Sequence, residues 1–226
     1  MKRSISVTDH EKPMKQLRLK TFKTIVRVTG MRSTIINPHS KNTLIINCTS
    51  RSKEEKWRQL SPFFLGPVQV PMGTGDTFES NTHENAWQYA KVYKKHARKK
   101  DNNPTKEYFR WAKEGWSNPK AVRFPMGKGA KPEYSLWGEK KLGYIEARKE
   151  IYAPTYTKLV METEAFKELK EIYESGKYKT IWIRDFDGFD NVALGRDYKQ
   201  VLNDPKRKMG HGFVLAGCLT NDMFWV

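Results

Sequence analysis

The segment His83-Glu-Asn-Ala-Trp-Gln-Tyr-Ala-Lys91 carries the residues of this sequence best suited to chemistry. On a helix, Glu84, Gln88 and Lys91 fall at i, i+4 and i+7 and stack along one face, with Trp87 beside them. A carboxylate, an amide and an ammonium over an indole can hold a polar ligand, bind its phosphate and flank its sugar. The carboxylate can also polarise a water as a general base. The same spacing is an ordinary feature of exposed polar helix faces, and a glutamate suits the positive end of a helix anyway. Spacing alone leaves both readings open.

Tyr144, Arg148 and Tyr152 form a second set at i, i+4 and i+8, with Trp137, Glu146 and Tyr156 on the same stretch. Aromatic rings with a guanidinium make a platform for a base and a phosphate. The competing reading is core tyrosines with satisfied hydroxyls. Met126-Gly-Lys-Gly-Ala-Lys131 offers backbone amides and two lysines to a phosphate. It lacks P-loop spacing and the hydroxyl residue after lysine, so no nucleoside triphosphatase is implied. Asp185-Phe-Asp187-Gly follows an apolar run, as in some phosphatases and metal-dependent glycosyltransferases, yet only about forty residues remain after it. Nor does it fit a calcium loop. A strand-end turn is the simpler account, with a ribose contact by Asp185 or Asp187 left open. Cys48 and Cys218 lie far apart and no Cys/His cluster has zinc spacing. Two half-buried thiols in a reducing compartment are expected, and neither a metal nor a cofactor is called for.

The elements that must position these groups can be read from periodicity. Phe22–Thr29 and Thr43–Asn47 have strand patterns, the first with Phe22, Thr24, Val26 and Val28 on one side. Leu60–Pro67 is an apolar loop, and irregular chain is expected on to about Asn81. A helix capped by Asn81 or Thr82 then runs through Trp87, Ala90, Tyr93 and Ala97 into a basic run at its C-terminus. Thr105–Trp116 is a second helix capped by Thr105. Asn118–Pro132 reads as a loop with one short strand. A long helical pattern from Ser135 to Val160 is divided or kinked at Pro154. Glu164–Ser175 is a helix stopped by Gly176, Lys179–Arg184 is a strand, and Asp204-Pro205 is a helix start. The expectation is a predominantly helical α+β single domain with a small β-sheet over residues 22–226, preceded by a basic arm over residues 1–21.

Composition bounds the partners. The chain has 42 Lys and Arg against 25 Asp and Glu, a formal net charge of +17. Such a field draws polyanions through phosphate neutralisation and counterion release, although a lysine-rich solubilising surface would look the same. No run approaches the ~20 apolar residues of a membrane span, and the charged start lacks a signal-peptide core. No membrane partner is expected, and a cytoplasmic location (host cytoplasm if the source is viral) is. The partner classes left are a nucleotide-derived small molecule or DNA/RNA.

The order of segments carries a resemblance. Leu60-Ser-Pro-Phe-Phe, then Glu84-x-x-Trp-Gln-x-x-Lys91, then Leu142-Gly-Tyr-Ile-Glu-Ala-Arg-Lys-Glu-Ile-Tyr152, resembles a family of proteins from bacteria and their viruses. That family is distantly similar to the NADAR superfamily, and the likeness spans Leu44 to Leu219. The resemblance implies a NADAR-like fold and cleavage of an N-glycosidic bond, on an ADP-ribose-like or modified-nucleoside substrate. It implies Glu84 as the catalytic carboxylate, Gln88 and Lys91 as ligand-binding groups and Trp87 as pocket wall. The pattern departs at Met209-Gly-His-Gly-Phe213, where the superfamily's last helix begins differently, and in lacking its tryptophan-glycine element. Two further functions compete: a non-enzymatic basic nucleic-acid-binding protein, for which a viral origin is one option, and a module that binds the same ligand without cleaving it.

Overall fold

A computed structural model describes residues 21–73 and 75–226; the basic arm, but for Thr21, lies outside the described residues. Strands β1 (Ile25–Gly30) and β2 (Thr43–Asn47) do not pair with each other. A short helix α1 (Glu55–Arg58) leads to the hairpin β3 (Val68–Pro71) and β4 (Thr77–Ser80). Helix α2 (His83–Tyr89) runs straight into strand β5 (Lys91–Val92), and α3 (Lys106–Trp116) follows. Strands β6 (Tyr134–Trp137) and β7 (Lys140–Leu142) complete an antiparallel β5-β6-β7 sheet. Helices α4 (Tyr144–Ala147), α5 (Ala153–Val160) and α6 (Glu164–Glu174) precede β8 (Thr180–Asp185). Two last helices, α7 (Tyr198–Leu202) and α8 (His211–Thr220), close the chain. The result is a single α+β domain.

Strand β8 is the keystone. It lies between β1 and β2 and pairs with both in parallel, Val28 opposite Ile183 and Ile183 opposite Ile46. All three of these side chains are fully buried, as the near-continuous apolar run of a central parallel strand requires. Helix α8 is apolar all round and buried from His211 to Leu219, packing on β1, β8 and α5. A second apolar cluster joins β3, α2, α3 and β6 through Val70, Tyr89, Tyr108, Trp116 and Tyr134. Trp87 packs between the large sheet cluster and a small one formed by Ala90, Leu142, Ala147 and Ile151.

Several expected elements hold. Thr43–Asn47 is β2 as read, Thr105 caps α3 by accepting from Tyr108 N, and Gly176 stops α6 at φ +61°. Strand β1 starts three residues later than expected, with Val26 and Val28 facing the core.

Others need correction. The helix capped at Thr82 ends at Tyr89, because Lys91 and Val92 pair with Ser135 and Tyr134 instead of continuing it. The basic run therefore forms a 3₁₀ turn and a loop, not a helix terminus. The stretch up to Asn81 is not irregular but contains the β3–β4 hairpin. No strand forms in 118–132 among the described residues. Ser135–Leu142 is a hairpin turning at Gly138 (φ +61°), so the long helix begins only at Tyr144. Pro154 does not divide that helix: it sits in the first turn of α5, directly after a π-helical turn at Arg148–Tyr152. Asp204-Pro205 starts no helix; α7 ends just before it, and α8 begins at His211. Both cysteines are fully buried and unpaired rather than half-buried. Among the described residues, no helix is long and apolar enough to cross a membrane.

Candidate functional site

Helix α2 is fixed before it presents anything. Thr82 Oγ1 accepts from Asn85 N at 3.1 Å, and the first-turn amides of His83 and Glu84 donate to the carbonyls of Leu65 and Pro62. The apolar loop at 60–65 is thereby docked on the helix start. Asn85 points the other way: its amide donates to the carbonyls of Asn118 and Lys120, and its oxygen accepts from Val122 N. This one buried side chain sets the loop that delivers Arg123 and Phe124. Phe124 adopts φ +61°, a backbone region that costs a bulky residue energy and recurs at functional sites.

Between these parts lies a cleft of about 130 Å³, room for several waters or a ring-sized polar ligand. Glu84, Trp87, Gln88, Lys91, Tyr144, Arg148, Tyr152, Asp185 and Asp187 all line it, whereas Trp137, Glu146, Tyr156 and the Met126–Lys131 loop do not. Glu84 and Lys91 do not splay into solvent. Gln88 Nε2 donates to Glu84 Oε1 at 2.8 Å, and Lys91 Nζ donates to Gln88 Oε1 at 2.7 Å, with the ammonium 4.7 Å from the Trp87 ring centre. Burial raises the Glu84 carboxyl above its ordinary range, against the hydrogen bond from Gln88 and the nearby charge of Lys91. Burial lowers Lys91 to about 8, with Lys208 and Arg123 adding like-charge repulsion.

The opposite wall starts at the carboxyl end of β8. Asp185 Oδ2 accepts from Gly212 N at 2.9 Å, and Oδ1 lies 3.4 Å from His211 Nδ1. His211 Nε2 is 2.9 Å from the Cys48 carbonyl oxygen, which can only accept, so that nitrogen carries a hydrogen. A Cβ at Gly210 would lie 1.9 Å from Asp185 Oδ2, so the carboxylate can seat at the start of α8 only because residue 210 is glycine. Asp187 is more open and binds Arg123, whose Nη2 donates to Oδ2 at 2.7 Å.

The tyrosine–arginine set divides its labour. Arg148 is fully buried, and its terminal nitrogens donate to the carbonyls of Val201, Leu202, Asp204 and Arg207 and to the Tyr144 hydroxyl. It terminates α7 and holds the loop that leads to Lys208, rather than offering its fork to a phosphate. Tyr152 stacks edge-on against Trp87 at 5.0 Å and against His83 at 5.0 Å. His83 donates from Nε2 to the Tyr152 carbonyl and is lowered by burial to about 4, so it is a neutral support behind the cleft. Glu146 caps α4 by accepting from Gly143 N.

Sequence reasoning missed Arg123, Lys208, His211, Phe124 and Phe186, all of which line the cleft. The first two sit in loops with no period to tie them to α2. The glycines on both sides of His211 were the available signal, since Gly-His-Gly marks a close backbone approach. Among the described residues no group of three acidic, His or Cys side chains could hold a metal ion. What the cleft offers instead is a desolvated carboxylate, a second buried carboxyl beside an imidazole, several cations and aromatic walls. No curated protein and no solved structure matches the chain. A family model does match, over residues 26–201, most of the chain and everything in the cleft up to Asp187, and the chain belongs to that family of unknown function, DUF6939.

Proposed function

We propose that the cleft hydrolyses an N-glycosidic bond of an ADP-ribose-like or modified-nucleoside substrate, with Glu84 activating the water. The observation that carries this reading is the Lys91–Gln88–Glu84 hydrogen-bond chain, which holds a buried carboxylate at the cleft wall with a proton affinity above that of an ordinary glutamate. A carboxylate so tuned is a better proton acceptor near neutrality than a solvated one. Facing it, Asp185 offers negative charge to the positive sugar that develops as the glycosidic bond breaks. Trp87 and Phe124 supply faces for a base or sugar, and Lys91 and Lys208 supply charge for a phosphate. The likeness of the Glu-x-x-Trp-Gln-x-x-Lys segment to NADAR N-glycosidases points the same way.

The test is incubation of the purified chain with guanine-ADP-ribosylated DNA and with phosphorylated ribosylamines, following released sugar phosphate or base by mass spectrometry. Release by the native chain, reduced by about 10²–10⁴-fold in Glu84→Gln, is the expected outcome. Equal turnover by the two proteins would remove Glu84 as the catalytic group. Tight substrate binding by both proteins without turnover would make the cleft a binding module.

A further inference from the structure

The positive charge of this chain is not spread over it. Residues 91–131 hold thirteen Lys and Arg against three Asp and Glu, so a segment of 41 residues carries ten of the seventeen net charges. An even distribution would place about three there, which a merely solubilising surface would satisfy. The fold brings two of these cations to the cleft and lays the loops that carry others side by side. Lys91 and Arg123 line the cleft itself. The loop bearing Lys94, Lys95, Lys99 and Lys100 leaves directly from β5. Glu133 N donates to the Val92 carbonyl, which lays the loop of Lys128 and Lys131 beside it. Tyr134 Oη donates to the Asn102 carbonyl, and Lys141 Nζ lies 3.4 Å from the Asp101 carbonyl oxygen, so the β6–β7 hairpin adjoins the same loop.

We infer that this band is a docking surface for the phosphate backbone of a nucleic acid, contiguous with the cleft. The lysines at 94, 95, 99, 100, 128 and 131 are all exposed, and none has a carboxylate partner among the described residues. Mutually repelling cations kept free of internal partners fit an external polyanion. An anionic membrane is the other polyanion available, and it calls for apolar side chains among the basic ones. The large exposed apolar residues of this fold, such as Ile36, Phe64, Val192 and Leu194, all lie outside 91–131. The inference stands apart from the glycosidase reading, because it concerns binding of an unmodified strand.

The experiment uses the full chain and a fluorescein-labelled oligothymidylate of about twenty nucleotides, titrated by anisotropy at several salt concentrations. Two variants carry the same charge change: Lys94, Lys95, Lys99 and Lys100→Glu in the band, and Lys41, Lys53, Lys158 and Lys199→Glu elsewhere on the exposed surface. The band variant is expected to lose about thirty-fold or more in affinity and to flatten the log–log salt slope by about three, against less than about threefold for the control. A version with Gln at the four band positions should fall between and guards against a folding defect. Equal losses in the two Glu variants, or full affinity in the band variant, would overturn the inference. So would binding to phosphatidylserine vesicles that exceeds binding to the strand and shows the same band dependence.

Discussion

At the level of single residues the cleft is built from groups held away from their comfortable protonation states. Glu84 is raised and Lys91 is lowered, both chiefly by burial, although each lies within reach of the other's charge. The signs give a pH profile. Glu84 must be ionised to take a proton, so the acid limb of kcat/KM should lie above the ordinary 4.5 of a glutamate. Lys91 must be charged to hold Gln88 and a phosphate, so the alkaline limb should fall at about 8 rather than at 10.5. Lys91→Arg, whose charge does not titrate in this range, should remove the alkaline limb. If that limb survives the substitution, the lysine is not its origin. Stability should move in the opposite sense to activity. A carboxyl with a raised folded-state pKa binds protons more tightly when folded, so its ionised form weakens the fold at pH values above its unfolded pKa. Glu84→Gln should therefore raise Tm at neutral pH and leave it unchanged well below 4.5.

Elements contribute through their irregularities. In an α-helix four residues overshoot a full turn by about 40°, so Tyr144, Arg148 and Tyr152 would drift around the axis. The π-helical turn at Arg148–Tyr152 needs more residues per turn and brings Tyr152 back into line with the cleft. Arg148 then reaches across to the end of α7, where its planar fork meets four carbonyls. A lysine has one ammonium and cannot span them, so Arg148→Lys should leave buried carbonyls unpaired and cost about 2–4 kcal/mol. Urea unfolding measures that loss, and weaker ligand binding should accompany it because the loop to Lys208 is released. A change within a few tenths of a kcal/mol would mean that water replaces the fork. These irregular parts also mark what the sequence could and could not show. Capping at Thr82, Thr105 and Gly176 and the apolar runs of β2 and β8 are local signals, and they were legible. All nine candidate site residues were legible too, because each sat in a polar–aromatic cluster on a regular stretch or at a strand end. Strands β5, β6 and β7 were not: their residues have helical spacing, β5 becomes a strand only by pairing with β6 at Lys91–Ser135, and β6 and β7 only by their own hairpin at Gly138. The same holds for Arg123 and Lys208, which reach the cleft through hydrogen bonds made by Asn85 and Arg148 in distant elements.

On the scale of the molecule, both the sheet and the cleft wait on β8. Strands β1 and β2 are near in sequence yet meet only through a strand that arrives more than 130 residues later. The carboxyl end of that strand carries Asp185, in the crevice position where parallel sheets place their ligands. A small parallel sheet closed by its last-made strand has only non-local contacts to stabilise it, so its loop-closure entropy is offset only when β8 docks. The second apolar cluster, around Tyr89, Tyr108 and Trp116, has its own local contacts and could in principle hold without the sheet. The two are tied through Leu159 and the start of α2, where the amides of His83 and Glu84 hang on the 60–65 loop. The tie at the start of α2 borders the cleft, so the domain should unfold as one unit. A chain ending at residue 178 retains the second cluster whole and lacks only β8, α7 and α8. It is expected to show no cooperative thermal transition by circular dichroism, with tryptophan emission near that of the unfolded chain. A sharp transition in that fragment would instead make the α2–α3 half an independent folding unit, and the cleft a seam between two units rather than a fissure within one.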